Sequence, residues 1–173
     1  MLQIETRQLQ LVACTVAAAQ AATTDRAALE ALLGVRVPDD WPAEDLRDFL
    51  PIYDRIVDAQ AARQGWGIWL MLAPAEHALV GDIGFKGPPD DLRTAEIGYS
   101  VLPAFQGRGY ATEAAQALVA WGLAQPSVRR IVANCQADNA ASIRVLEKAG
   151  MRQTGRDRDE LTWEVLPVDL GRG

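Results

Sequence analysis

A glycine-containing turn between a predicted strand and a strong predicted helix is the feature that most constrains this chain. The turn spans residues 103–112, and it joins a strand predicted over Thr94–Leu102 to a helix predicted over residues 111–124. Gly107 and Gly109 allow the backbone to turn sharply and to bring several N–H groups close to a ligand. The first helical turn adds unpaired N–H donors and the positive end of the helix dipole. The sequence therefore predicts an anion site, suited to a diphosphate, at this turn.

Other phosphate-binding motifs fit the turn less well. The dinucleotide-binding fingerprint needs Gly or Ala where this chain has Thr112, and a Walker loop needs Gly-Lys followed by Ser or Thr. A glycine-rich turn without a ligand is the alternative for Gly-x-Gly alone. Arg108, between the two glycines, could add a full positive charge to a diphosphate site.

The remaining pattern predicts one α/β (α+β) domain over residues 1–173, with a mixed sheet and no linker. Strands are predicted over 8–13, 66–73, 79–86, 94–102 and 128–135, with a final hairpin over 151–166. Helical segments are predicted over 15–33 (one helix or two), 43–62, 111–124 and 139–149. Within the second segment, Pro51 must start a new helix or break the old one.

Acidic residues outnumber basic residues. The 173 residues include 17 Lys and Arg and 23 Asp and Glu, for a net charge of -6. This balance repels nucleic-acid phosphates at long range, so we expect no nucleic-acid partner. No run reaches the roughly 18 apolar residues of a membrane span, and residues 1–7 lack a signal-peptide pattern. Cys14 and Cys135 form no metal or redox spacing, so we expect a cytoplasmic protein without a metal or a membrane partner.

Two sequence blocks resemble the GCN5-related N-acetyltransferase (GNAT) superfamily. Gln106–Ala111 matches its Gln/Arg-x-x-Gly-x-Gly/Ala motif, and Asn139–Met151 is similar to its second signature, closest to the ribosomal-protein-alanine N-acetyltransferase branch. The resemblance implies a single domain whose mostly antiparallel sheet of about six or seven strands splays between the fourth and fifth strands. About four helices flank that sheet, and the coenzyme-binding core covers about residues 93–151.

The resemblance also implies where acetyl-CoA binds. Backbone groups of Tyr99 and Val101 would pair with the pantetheine arm, and the turn would hold the pyrophosphate. Asn139 and Ser142 would contact the coenzyme beyond the splay. The residues of the turn assigned to the coenzyme are Gln106, Gly107, Arg108, Gly109, Tyr110, Ala111 and Thr112.

Direct attack of an amine on a thioester needs a general base. The alternation of side chains along one predicted strand suggests which residue it is. Glu96, Gly98 and Ser100 share one face of the predicted strand, and a carboxylate beside a glycine suits an open cleft. We expect Glu96 to be the general base, with desolvation raising its pKa. The alternative is an exposed or salt-bridged strand residue. Ser100, on the same face, is a candidate for contact with the acceptor.

The general acid of the family is absent at its usual position. Many members carry a tyrosine in the last motif helix, and this chain has Leu146 there. Ser142, one turn into the same helix, is the predicted replacement that protonates the departing thiolate. The alternative for Ser142 is a helix-start residue that bonds the local backbone. Tyr99 and Tyr110 are weaker acid candidates, better explained by packing.

The predicted function is transfer of an acetyl group from acetyl-CoA to a primary amine of a small molecule or peptide. Trp41, in the loop after the early helices, is either core or an aromatic wall of the acceptor site. A homodimer is a further expectation from the family. The alternatives are a non-catalytic coenzyme A-binding sensor and an interaction domain without a coenzyme. The intact turn motif argues against the last of these.

Overall fold

The structure is a computed structural model, and it describes residues 2–53 and 65–167. Its eight strands are β1 (Gln3–Glu5), β2 (Gln10–Ala13), β3 (Ile68–Ala73), β4 (Ala78–Phe85), β5 (Thr94–Val101), β6 (Arg130–Gln136), β7 (Arg152–Asp157) and β8 (Glu160–Val165). The α-helices in the described part are α1 (Val16–Thr24), α2 (Arg26–Leu33), α3 (Glu44–Phe49), α4 (Tyr110–Leu123) and α5 (Ala140–Lys148). The predicted single α/β fold with a mixed, mostly antiparallel sheet is confirmed.

All eight strands form one sheet in the order β1-β2-β3-β4-β5-β6-β8-β7. Every neighbouring pair is antiparallel except β5 and β6, which are parallel because α4 crosses between them. Seven of the strands correspond to the predicted ones, and β1 adds one edge strand of three residues. We attribute its absence from the prediction to its length, because three residues give too little alternation to recognise a strand.

The two parallel strands separate at their carboxyl ends. Thr94–Ile97 of β5 pairs with Arg130–Ala133 of β6, and the pairing stops there although both strands continue. The continuing parts are Gly98–Val101 and Asn134–Gln136. The sheet is therefore splayed between β5 and β6, the fourth and fifth predicted strands. This leaves unpaired backbone at the mouth of the splay.

Local sequence signals set the early helices. The side chain of Thr15 accepts a hydrogen bond from Ala18 N, and Asp25 caps α2, which ends at Gly34 with φ of 70°. The segment over 15–33 is thus two short helices. A short 3-10 turn at Leu50–Ile52 follows α3, as expected where Pro51 ends regular helix. The rest of the predicted helix over 43–62 lies outside the described residues.

Close packing seats α4 on the sheet and so fixes the glycine turn before it. A Cβ at Gly122 would lie 2.8 Å from side-chain atoms of Phe85 and Ile131, so any larger residue would have to displace these side chains. Trp121, next to it, packs against Trp66 with ring centroids 5.1 Å apart. Burial of the small face of α4 and these rings holds the first turn of α4 at the splay.

A carboxylate in the first turn of α4 ties down the amino-terminal segment. Glu113 Oε1 accepts hydrogen bonds from Thr6 Oγ1 and Gln8 N at 2.6 Å each, and Oε2 accepts from Gln8 Nε2 at 2.7 Å. Burial opposes ionisation of Glu113, but these hydrogen bonds, with Arg7 nearby, outweigh it and lower the pKa of the carboxyl. The segment before β2 is therefore held against the helix that follows the turn.

Glu113→Gln is expected to lower the free energy of unfolding by about 1–3 kcal/mol at neutral pH, because a charged acceptor is lost. Since folding lowers the pKa of Glu113, its ionisation adds stability above the pKa of the unfolded chain. That contribution disappears as the pH falls through the folded-state pKa. Urea unfolding should therefore show a difference from the parent that shrinks at acidic pH, below the pKa of an ordinary glutamate. Glu147→Gln, at an exposed position of α5, is the matched control, and a pH-independent difference would contradict the assignment.

Candidate functional site

Two cavities meet at the mouth of the splay. The loop-side cavity, of about 710 Å³, lies between the glycine turn, β5 and α5. The sheet-side cavity, of about 750 Å³, lies between α3 and strands β4, β5 and β6. Tyr99, Ser100, Asn139 and Ser142 line both cavities, and we call these four residues the junction. A ligand in the loop-side cavity and a ligand in the sheet-side cavity would therefore contact each other at the junction.

The glycine turn forms the predicted anion cradle. Gly107 and Gly109 have φ of 76° and 85°, and an added Cβ at either would meet nothing within 4 Å. Within residues 2–53 and 65–167, no group accepts a hydrogen bond from the amides of Gly107, Arg108 or Gly109. The first-turn amides of α4, from Tyr110 to Thr112, have no intrahelical partners. The turn residues that line the loop-side cavity are Gln106, Gly107, Gly109, Tyr110, Ala111 and Thr112.

The side chain of Arg108 is engaged away from the loop-side cavity. Its Nη1 lies 2.5 Å from Glu76 Oε1, its Nη2 donates to Ala104 O at 3.1 Å, and its guanidinium covers the Phe105 ring. The charge predicted for the diphosphate is thus paired with a carboxylate. Its contact with the coenzyme stays a prediction, since Glu76 would have to release it.

Two cations that the sequence reasoning missed line the loop-side cavity. Arg144 and Lys148 both project from α5 towards it. They are four residues apart on a helix, and this spacing places them on one face. That spacing within the second motif block is the signal that could have identified them.

A pair of hydroxyl groups lies at the junction. Tyr99 Oη is 2.7 Å from Ser142 Oγ, and it also donates to Ser142 O at 3.2 Å. Burial raises the pKa of Tyr99, and the bond to Ser142 offsets part of that effect. Leu146, at the family's tyrosine position, is 1% exposed and belongs to the core. The predicted acid Ser142 therefore has a tyrosine partner, supplied by β5.

Asn139 and Gln106 are both partly engaged within the protein. Asn139 Oδ1 caps α5 by accepting from Ser142 N at 3.0 Å, which leaves its NH₂ group for the cavities. Gln106 Nε2 donates to Val101 O at 2.9 Å, at the end of the unpaired edge of β5. The face of β5 is open beside this edge at Gly98, where an added Cβ would meet nothing within 4 Å.

The predicted base, Glu96, is bonded to two donors of the protein. Its Oε1 forms an ion pair with Lys86 and accepts from Asn134 Nδ2 at 3.1 Å. Lys86 and Asn134 line the sheet-side cavity, whereas Glu96 does not. The structure thus has the salt bridge that was the alternative for Glu96, and its catalytic role stays a prediction.

Of the described carboxylates, Asp82 and Glu160 line the sheet-side cavity. Asp82 is buried, and its Oδ2 accepts from Trp41 Nε1 at 3.0 Å. Burial raises the pKa of Asp82 to about 6, and the Trp41 bond acts in the opposite direction. The sequence signal that could have identified Asp82 is a carboxylate within a strand whose other residues are uncharged and mostly apolar. Glu160 starts β8 beside the cavity.

Trp41 belongs to the core. Its ring is 1% exposed, so it contacts the acceptor side only through the bond to Asp82. The structure therefore corresponds to the core alternative for Trp41, not to an exposed aromatic wall. Across residues 2–53 and 65–167, no group of three or more His, Cys, Asp or Glu side chains could hold a metal ion. No helix in the described part is long and apolar enough to cross a bilayer.

Comparison with known proteins identifies relatives over nearly the whole chain. Residues 13–152 match the family model of the acetyltransferase (GNAT) domain. The uncharacterized N-acetyltransferase YjdG of Bacillus subtilis (strain 168) is 30% identical over 164 residues, which are 94% of this chain and 97% of that protein. These matches include both the glycine turn and the junction.

Solved structures share the fold. An acetyltransferase (GNAT family) from Bacillus anthracis superimposes with a TM-score of 0.64 at 26% identity, over 95% of this chain and 98% of that chain. RimL, a ribosomal L7/L12 alpha-N-protein acetyltransferase solved with coenzyme A, superimposes with a TM-score of 0.66 at 21% identity. That match covers 95% of this chain and 98% of RimL.

Proposed function

We propose that this chain, which belongs to the acetyltransferase (GNAT) family and is an N-acetyltransferase that uses acetyl-CoA, acetylates a primary amine bound in the sheet-side cavity. One observation carries the proposal: the loop-side and sheet-side cavities share the four residues of the junction. A thioester entering from one side and an amine from the other would be brought together there. Such positioning replaces a bimolecular encounter by a nearly unimolecular step.

The loop-side cavity suits coenzyme A by its chemistry. The amides of Gly107, Gly109 and the first turn of α4 suit the diphosphate, and Arg144 and Lys148 suit the phosphate groups. The unpaired edge Gly98–Val101 suits the pantetheine arm, which could add to it as a strand does. When bound, acetyl-CoA supplies an activated acetyl thioester. The chain must then supply positioning and proton transfer.

We assign protonation of the departing thiolate to Ser142. Its hydroxyl is held by Tyr99 at 2.7 Å, which fixes the direction of both hydroxyl groups at the junction. The helix-start alternative has the Ser142 hydroxyl bonding the local backbone, whereas that hydroxyl bonds Tyr99 and the backbone N–H of Ser142 donates to Asn139 Oδ1. To protonate the thiolate, the hydroxyl would turn from Tyr99 towards the sulfur. Tyr99 acts here as a positioning residue.

Glu96 stays the base predicted from the sequence. Lys86 and Asn134 both bond Oε1 of Glu96, so an acceptor amine would have to reach Oε2, displace one of these donors or act through a water. The turnover of Glu96→Gln, measured against its affinity for acetyl-CoA, tests this role. Normal binding with slow turnover would support it.

The acceptor is proposed to be a primary amine with an apolar body, either a small molecule or a peptide amino terminus. Leu46, Phe49 and Phe85 give the sheet-side cavity apolar walls, and its carboxylates favour a cation over an anion. RimL acts on the amino terminus of a protein, which supports a peptide as one arm of the test.

The testing experiment measures thiol release from acetyl-CoA with a panel of amines, and mass spectrometry identifies acetylated products. We expect thiol release that requires an amine, with one product heavier by an acetyl group for each thiol released. Monoamines, polyamines, amino acids and peptides form the panel, with carboxylic acids of the same shape as controls. Coenzyme binding without any amine-dependent thiol release would instead indicate the sensor alternative.

A further inference from the structure

Asp82 lies inside the sheet-side cavity, next to the junction. In the register of the sheet it is directly opposite Ser100, which belongs to the junction. Residues opposite each other in an antiparallel pair have Cβ atoms about 4.5–5.5 Å apart. Asp82 is therefore one strand away from where the amine must react, on the face where Trp41 packs.

Only one oxygen of the Asp82 carboxylate accepts a hydrogen bond from the described part of the chain. Its Oδ2 is fixed by the buried indole of Trp41 at 3.0 Å. In the described ranges 2–53 and 65–167, no donor bonds its Oδ1. The one side-chain N or O atom there that is both inaccessible and unpaired is Trp163 Nε1, so Asp82 Oδ1 is open to the cavity. A buried carboxylate with one free oxygen needs a donor from a ligand or water.

No cation of the described chain compensates Asp82. None of the ion pairs among residues 2–53 and 65–167 includes it, and the ammonium of Lys86 is taken by Glu96. Burial, with Asp82 nearby, raises the pKa of the Cys14 thiol to about 12, so that thiol is neutral. Among the residues that the structure describes, the other titratable side chains that line the cavity are Lys86, Tyr99, Cys135 and Glu160.

The walls beside Asp82 are largely apolar. Ala43, Leu46 and Phe49, at and within α3, face it across the cavity. An ammonium ion entering such a cavity loses water and gains the carboxylate as its partner. The cavity thus favours an amine whose charged end reaches Asp82 and whose apolar part contacts α3.

We propose that Asp82 binds the ammonium group of the acceptor and takes the proton that the amine must lose before it attacks, in place of Glu96, the base predicted from the sequence. This inference rests on the proposed acetyl transfer and names the acceptor class of that same site. The pKa of about 6 supports it, because Asp82 is then ionised at neutral pH and more basic than an ordinary carboxylate.

The protons and electron pairs balance. An N–H bond of the ammonium breaks and its proton passes to Asp82 Oδ1, so the freed electron pair forms the bond to the thioester carbon. The C–S bond breaks, its electron pair leaves with sulfur, and Ser142 protonates that sulfur. The second amine proton, released as the amide forms, restores the Ser142 hydroxyl, and Asp82 gives its proton to water.

Asp82→Asn tests the proposal, since it keeps the shape and an acceptor for Trp41 but removes the base. We expect kcat/KM for the amine to fall about 100-fold, with acetyl-CoA affinity unchanged. For the parent we expect a loss of kcat/KM below about pH 6, and for Asp82→Asn a flat profile there. Asp91→Asn, in the exposed loop before β5, is the matched control and should keep the parent profile.

A melting curve checks that the variant is folded. Because folding raises the pKa of Asp82, its contribution to stability is full below the unfolded pKa and is lost as the pH rises through about 6. Asp82→Asn removes the ionisable carboxyl and therefore the loss of stability at high pH. The melting temperature of this variant at about pH 8 should equal or exceed that of the parent.

An acidic limb that persists in Asp82→Asn would overturn the proposal. If that limb vanishes instead in Glu96→Gln or Glu160→Gln, the base is that other carboxylate. A parent protein that binds acetyl-CoA but releases no thiol with any amine would overturn the acetyl transfer itself, which is a different failure.

Discussion

Gly109→Glu is expected to weaken acetyl-CoA binding by about 100-fold or more, where about 1.4 kcal/mol corresponds to each tenfold. Gly109 has φ of 85°, a conformation that costs other residues about 1–3 kcal/mol. The space beside its Cα, free of atoms within 4 Å, is where the diphosphate is proposed to lie. A carboxylate there would fill the cradle and repel the phosphates, so both steric and electrostatic effects oppose binding.

The control for this variant is another glycine of the same kind. Gly34 has a φ of 70° and an equally open Cβ position, but it ends α2 outside both cavities, so Gly34→Glu is the control variant. Titration calorimetry should show parent-like affinity for Gly34→Glu, and acetyl-CoA should raise its melting temperature. Parent-like affinity of Gly109→Glu would mean that the turn does not hold the diphosphate.

Ser142→Ala is expected to lower kcat by about 100-fold while the affinity for acetyl-CoA stays within a few-fold of the parent, because general acid catalysis contributes about 10²–10⁴-fold. Tyr99→Phe should lower kcat less, by about tenfold, since it removes only the partner that holds the Ser142 hydroxyl at 2.7 Å. The double variant should be little worse than Ser142→Ala alone, because both residues act through one hydroxyl. Stopped-flow thiol release at saturating amine measures all three.

Ser127→Ala, at an exposed position between α4 and β6, is the matched serine control. It should leave kcat unchanged. If the losses of Ser142→Ala and Tyr99→Phe add fully in the double variant, the two hydroxyl groups act independently and the assignment is wrong. A kcat of Ser142→Ala equal to that of the parent would remove Ser142 from the reaction.

Features with local physical causes were predictable from the sequence. The turn at Gly107 and Gly109 depends on residues that tolerate positive φ, and the cap at Asn139 depends on a short polar side chain before a helix. Gly34 likewise marks the end of α2. The position of the splay followed from the family resemblance, and the structure confirms it through the end of β5–β6 pairing at Ile97.

Features that depend on tertiary contacts were not predictable. Trp41 and Asp82 are 41 residues apart, and only the folded chain brings the indole to the carboxylate. Tyr99 and Ser142 are 43 residues apart, so the sequence offered the serine but not its partner. The position of Arg108 between the two glycines suggested that its charge faces the diphosphate. In the structure its guanidinium is paired with Glu76 instead.

The crystal structure of the protein with coenzyme A tests the central claim most directly. We predict that the diphosphate lies within hydrogen-bond distance of the amides of Gly107 to Ala111, and that the pantetheine arm runs along Gly98–Val101 towards Ser142. Coenzyme density elsewhere on the protein, or a mouth between β5 and β6 closed by side chains, would contradict the account.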